Sequence, residues 1–226
     1  MVSCTQLKHN QKMNPLLITR PNHDLGTNYL YNWSEHVIEI AKKKMVKVLD
    51  LKAKKANKKN ITSYILKNNP SLLFLNGHGS FTTIMGQKNE ILLDKNTDER
   101  LVKDRIIYAR SCSAGAVLGG ILVNRGAKTF VGYIGSFILV MEKDKGFHPL
   151  EDQMAKRFLE PSNLIVTSIL KGNSVGKAYQ KSIKEMKEIL DYFLSSDSNY
   201  EEKTSAPYMW NNISCQVLLG DENAKA

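Results

Sequence analysis

The sequence predicts an α/β fold around a mainly parallel sheet, and three observations predict it. Short apolar runs alternate with amphipathic segments, the pattern of strands and helices taking turns around such a sheet. Two of the apolar runs stop at small-residue turns, Gly77-His78-Gly79-Ser80 and Arg110-Ser111-Cys112-Ser113. The chain has 226 residues, 42% hydrophobic and 24% charged, which is ordinary for a soluble globular domain and enough for one sizeable core. A single domain over residues 1–226 is therefore expected.

Residues 16–19 read as the first strand. Ser34 opens a helix as its N-cap, with Ile38, Ile40 and Ala41 on the inner face. Residues 46–51 form the second strand and 60–67 another helix, ended by Asn68-Asn69-Pro70. Residues 71–76 follow as a buried strand. The segment 81–99 has mixed signals and is expected to be a loop elaboration with a small hairpin around 86–93. Residues 105–109 make the next strand, and 114–124, small and apolar, suit a buried helix closed by Gly126. A strand over 129–134 precedes two helices, 150–159 and 174–193, the second with Glu185 and Glu188 among lysines on its exposed face. Residues 215–219 read as the last strand. No internal repeat is visible, and 195–205 is the one strongly linker-like stretch.

Several classes are excluded. The longest apolar stretches, 114–123 and 130–141, are too short or too interrupted by glycine to span a bilayer. Residues 1–20 lack the basic-then-apolar layout of a secretory signal, since Lys8, His9, Asn10, Gln11 and Lys12 break any hydrophobic run, so the expected address is cytoplasmic. Cys4, Cys112 and Cys215 are odd in number and widely separated, which fits neither a zinc site nor a disulfide framework. The net charge of +10 is concentrated in nine lysines between Lys42 and Lys59, a field that attracts acidic partners. No aromatic residues interleave with that run as a nucleic-acid stacking surface requires, and a solvated lysine-rich face is the favoured reading.

The chemistry is carried by the two turns. In open α/β sheets, ligands sit beyond the carboxyl ends of the strands. His78 and Cys112 each end a strand, and neighbouring strands lie about 4.8 Å apart, which brings imidazole and thiol within working range. Glycines on both sides of His78 allow a sharp turn and leave the Gly79 amide free to approach a substrate. Cys112 is expected to precede a helix beginning near Ala114, whose unsatisfied amides and dipole favour a thiolate. The amides of Gly79 and Cys112 can then serve an oxyanion while His78 carries the proton to a leaving amine. The other histidines, His9, His23, His36 and His148, do not end strands.

The segments LLFLNGHGS (72–80) and IIYARSCSAG (106–115) resemble the paired histidine and cysteine motifs of the caspase-like clan of cysteine peptidases, which includes gingipains, clostripain, legumain, separase and caspases. RGAKTFVGYIGS (125–136) and VLLGD (217–221) resemble the gingipain branch, and the likeness runs over about residues 16–221. It implies a caspase-haemoglobinase sandwich with a mainly parallel six-stranded sheet flanked by helices, His78 and Cys112 as the catalytic pair, and chemistry without metal or organic cofactor. It also implies that Gly135, Ser136 and Phe137 line the cleft and pair with an extended peptide, Phe137 walling the S2 site. Clostripain-like relatives place an Asp two residues before the cysteine, to bind a basic P1 side chain; this chain has Arg110 there. Two readings of Arg110 are open: it faces the S1 pocket and selects Asp or Glu at P1, or it pairs with a nearby carboxylate. Glu222 stands where the branch usually has Pro.

The expected function is thus a cysteine endopeptidase acting on protein or peptide substrates through a thioester intermediate. Two alternatives stand beside it: a catalytically silent binding protein of the same fold, and a basic nucleic-acid-binding protein that uses the lysine run at 42–59.

Overall fold

The computed structural model describes residues 13–226. Cys4 and His9 lie outside them. The chain order is β1 (Leu16–Arg20), α1 (Leu25–Trp33), α2 (Glu35–Lys43), β2 (Val48–Lys52), α3 (Lys58–Asn68) and β3 (Leu72–Asn76). Three short strands follow, β4 (Gly79–Ser80), β5 (Thr83–Met85) and β6 (Ile91–Asp94). The remainder is β7 (Ile106–Arg110), α4 (Leu118–Asn124), β8 (Thr129–Tyr133), α5 (Gln153–Leu170), α6 (Val175–Phe193), α7 (Tyr200–Cys215) and β9 (Gln216–Gly220).

Six strands form one sheet in the order β2-β1-β3-β7-β8-β9, parallel except for β9, which pairs antiparallel with β8. Strands β4 to β6 make a separate antiparallel sheet. The central strands β3 and β7 are apolar up to their last residues, Asn76 and Arg110, because helices cover both faces. Leu16, Ile18, Leu72, Phe74, Ile106 and Tyr108 meet α2, α5 and α6 on one side. Leu17, Leu73, Leu75, Ile107 and Ala109 meet α3 and α4 on the other. Alternate residues of a strand point to opposite faces, so both layers come from the same five-residue runs.

Four sequence expectations change. The helix expected from Ser34 is present as α2, but a further helix, α1, precedes it and was not read from the sequence. Asp24 caps it: the Thr27 amide donates to Asp24 Oδ1 (2.7 Å) and the Asp24 amide to Thr27 Oγ1 (3.1 Å). Ser34 makes no side-chain cap; its hydroxyl donates to the Leu30 carbonyl at 2.6 Å. Ile38 and Ala41 are buried as expected, whereas Ile40 is only partly so.

The helix after Cys112 starts at Leu118, not near Ala114, with turns between. Helix α5 continues through Pro161 to Leu170, beyond the expected end at residue 159, because Ile165, Val166 and Ile169 bury against the sheet. The linker-like stretch shrinks to 195–199, and α7 begins behind Asn199, which forms a capping box with Glu202.

The nine lysines of 42–59 are all exposed, around the edge strand β2 and the helix ends beside it. Lys52, in β2 itself, discourages pairing of that edge with another strand. Buried Arg20, at the end of β1, holds Asp50 (2.9 and 2.6 Å) and Glu35 (2.6 Å), joining β1, β2 and α2. Among the described residues, no helix is long and apolar enough to cross a membrane.

Candidate active site

Strands β3 and β7 pair with Asn76 opposite Arg110. Two residues further along each chain come His78 and Cys112, at equivalent steps past adjacent parallel strands. Both line one cavity of about 140 Å3, with Gly26, Leu30, Phe137 and Leu139 among its other walls.

The glycines beside His78 are sterically required. A Cβ on Gly77, whose φ is +146°, would sit 2.0 Å from the Met85 carbonyl oxygen. A Cβ on Gly79 would sit 2.6 Å from the Cys112 carbonyl oxygen and 2.9 Å from Ser111 Cβ. The histidine turn and the cysteine turn therefore touch through bare backbone. Met85 donates its amide to the His78 carbonyl (2.9 Å), so residues 78 and 85 form a hydrogen-bonded pair. Antiparallel pairs alternate, so Gly79, opposite Ile84, occupies a non-hydrogen-bonded position and points its amide away from β5.

The cysteine turn is strapped to the end of β8. The Ser113 amide donates to the Gly135 carbonyl (2.8 Å) and the Gly115 amide to the Tyr133 carbonyl (2.9 Å). Ser113 adopts a left-handed φ of 61°, which turns the chain away after the half-buried Cys112. The Cys112 amide makes no backbone hydrogen bond among the described residues. Of the three residues expected to line the cleft, Phe137 does so: its ring packs on Tyr133 and its carbonyl lies 3.9 Å from Cys112 Sγ. Gly135 and Ser136 do not line the cavity; the Gly135 carbonyl holds the Ser113 amide and the Ser136 carbonyl accepts from Asn211 (2.7 Å).

A third member, Asp24, was missed from the sequence. Its Oδ2 lies 2.6 Å from His78 Nε2, while its Oδ1 caps α1. Burial alone would raise the Asp24 carboxyl, but hydrogen bonds from the Thr27 amide, His78 and the Thr27 hydroxyl prevail and hold it at about 2. The carboxylate is thus ionised at neutral pH and accepts from Nε2, leaving Nδ1 for proton exchange. The Asp-x-x-Thr capping box was the available signal for α1; nothing local signalled the contact with His78.

His23 stands beside this pair, its ring edge-on to His78 at 5.8 Å and its Nε2 3.4 Å from Asp24 Oδ2. His23, Asp24 and His78 each offer one ligand atom, all within 4.8 Å of one another.

Arg110 does not fit either sequence reading. It is completely buried, and its five N–H groups are taken by neutral acceptors: Asn76 Oδ1 (2.9 Å), Ser162 Oγ (2.9 Å), Asn163 Oδ1 (3.0 Å), Ser34 Oγ (3.0 Å) and the Leu30 carbonyl (3.4 Å). The guanidinium also lies over the Phe74 ring at 5.0 Å. Burial pushes it down to about 10, so it remains charged at neutral pH. No N–H remains for a substrate carboxylate, and among the described residues no carboxylate pairs with it. Arg110 borders the cavity, but its N–H groups turn to acceptors within the protein and not into the pocket that strand alternation suggested.

The wall formed by residues 134–152 is braced to α1. Fully buried Asp152 accepts from the Tyr29 hydroxyl (2.7 Å), the Glu142 amide (2.9 Å) and the Ala155 amide (2.7 Å). Trp33 Nε1 donates to the Pro149 carbonyl at 2.8 Å.

No protein-family profile and no curated protein sequence matches the chain. Its fold matches the crystal structure of the Arg-specific cysteine proteinase gingipain R, with a TM-score of 0.59 at 12% identity over 93% of this chain and 46% of that one. It also matches a complex of the Porphyromonas gingivalis RgpB pro- and mature domains, with a TM-score of 0.57 at 10% identity over 93% and 47%. The chain spans a little under half the length of these structures. The six-stranded, mostly parallel sheet flanked by helices is the caspase-like fold of gingipain.

Proposed function

We propose that the chain is a cysteine peptidase domain that hydrolyses protein or peptide substrates, with Cys112 as nucleophile, His78 as acid and base, and Asp24 orienting His78. The observation that carries this reading is that His78 and Cys112 stand at equivalent steps past adjacent strands and line one cavity, with the Asp24 carboxylate on Nε2 of the imidazole.

Cys112 Sγ attacks the scissile carbonyl carbon as its proton passes to His78 Nδ1. The carbonyl oxygen takes up the charge and is met by the amides of Gly79 and Cys112. His78 returns the proton to the leaving amine, the C–N bond breaks, and a thioester remains. Water then gives a proton to His78 and attacks the thioester, releasing the acid and restoring the thiol. Asp24 keeps Nε2 protonated and stabilises the imidazolium formed in each half, as the orienting member of a triad does. Because the helix after Cys112 begins only at Leu118, His78 and Asp24, and not a helix dipole, carry the activation.

The test is labelling by a peptidyl electrophile, read by intact mass, together with hydrolysis of a peptide library. Labelling confined to Cys112 and lost in Cys112→Ala supports the reading. A wild-type protein that folds but neither labels nor cleaves is a silent binding protein of this fold.

A further inference from the structure

We infer that the subsite beside Cys112 takes an uncharged apolar P1 side chain, of the size of Leu, Met or Phe. This rests on the peptidase reading and names its substrate class. The P1 residue carries the carbonyl under attack, so its side chain leaves from an atom adjacent to the carbon that meets Sγ. It must therefore enter the cavity continuous with Sγ, which is the one that Cys112 and His78 share.

The lining of that cavity is mainly apolar, with Thr27, Arg110 and Ser111 as its polar members beside His78 and Cys112. Leu30, Phe137 and Leu139 supply its side walls, and Gly26 opens it by having no side chain. The one charged group beneath it, Arg110, presents no free N–H, since five internal acceptors hold it on the side of α1, α2 and α5. A carboxylate entering here would lose its water and gain no hydrogen bond in return. A lysine or arginine would meet the Arg110 charge, and no carboxylate lines the cavity; Asp24, close to Gly26, is engaged by Thr27 and His78. Ser111 also borders the cavity, and its hydroxyl, without a partner among the described residues and buried against Gly79, is a single neutral group there. A volume of about 140 Å3 is of the order that accepts a benzene-sized apolar group.

Gly26 is the position where the size limit can be tested. A Cβ there meets only Asp24 Oδ1, at an ordinary 3.6 Å, and the residue lies in the first turn of α1. A larger side chain at this position fills the cavity without strain on the helix.

Two measurements separate the subsite from catalysis. Peptides differing only in P1 (Gly, Leu, Phe, Asn, Asp, Lys) are titrated calorimetrically into Cys112→Ala, which binds but does no chemistry. The matching peptidyl acyloxymethyl ketones are timed on the wild type. Leu and Phe are expected to exceed Asp, Lys and Asn at least tenfold in both. In Gly26→Leu, the ratio of Leu to Gly labelling rates is expected to fall at least tenfold. Preference for Asp, Lys or Asn, or no discrimination among the peptides, overturns the inference. Tight Leu and Phe binding to Cys112→Ala without wild-type labelling upholds the subsite and removes the peptidase.

Discussion

Asp24 Oδ2 lies 2.6 Å from His78 Nε2, across 54 residues of sequence, while the other oxygen of the same carboxylate caps helix α1. One side chain thus serves the helix and the imidazole together. Asn is as good an N-cap as Asp but accepts poorly from an imidazolium. Asp24→Asn is expected to leave the melting temperature nearly unchanged while lowering kcat about ten- to a hundredfold. Asp24→Ala should lose the cap as well, costing about 1 kcal/mol in stability. Equal kcat in wild type and Asp24→Asn would remove Asp24 from the mechanism.

The same carboxyl sets an acid limb. Its pKa falls from an ordinary 3.8 to about 2 on folding, so its stabilising contribution is complete above the unfolded value and is lost as pH drops through the folded one. The side chain is more than a third exposed, so water screens the effect and it is small. The wild-type advantage over Asp24→Asn in urea unfolding should be present above about pH 4 and vanish towards pH 2. An advantage independent of pH across this range would contradict the ion pair.

Cys112→Ala and His78→Ala should each lower peptide hydrolysis about a thousandfold or more, and the double variant should be no worse than either, because the pair works as one unit. Circular dichroism should report an unchanged fold. Multiplying losses in the double variant would mean that the two groups act separately.

Arg110→Ala tests whether this residue belongs to specificity or to the core. Its removal leaves acceptors on Asn76, Ser162, Asn163 and Ser34 unpartnered in the interior. Each buried orphan costs about 1 to 3 kcal/mol, so a loss of about 3 kcal/mol or more is expected from the urea midpoint. The P1 profile of the folded fraction should stay as in wild type. Wild-type stability with a changed P1 profile would restore Arg110 to the substrate pocket.

Gly79→Ala places a methyl 2.6 Å from the Cys112 carbonyl oxygen, and neither backbone can yield without moving the nucleophile. The expected outcome is a stability loss of about 1 to 3 kcal/mol together with a kcat decrease that exceeds it in proportion. If kcat follows only the folded fraction, the contact between the two turns has no catalytic consequence.

Most of the sheet was legible because each central strand is buried on both faces and opens as an apolar run, as in 72–75 and 106–109. The placement of His78 and Cys112 at strand ends followed from the glycines and small residues after those runs. Helix α1 was not legible: Leu25–Trp33 contains Gly26, Asn28 and Asn32, and its buried Tyr29, Leu30 and Trp33 cluster with Ala155 and Leu159 of α5. Asp24 went unseen with it. Strand alternation puts Arg110 on the face of Cys112, but the direction of its N–H groups is set by Ser162 and Asn163, which lie beyond the helix end expected at residue 159. That information is long-range and leaves no mark on the sequence near Arg110.

Asp152 carries one further implication. By gripping Tyr29, Glu142 and Ala155 at once, it cross-braces the two banks of the cleft, so this part of the groove is a mould already set before anything fills it. Ordering a loop upon binding is a substantial entropic penalty in flexible receptors. Here the penalty falls on the incoming chain alone, and an already extended or cyclised peptide gains affinity in proportion to the freedom it has given up beforehand.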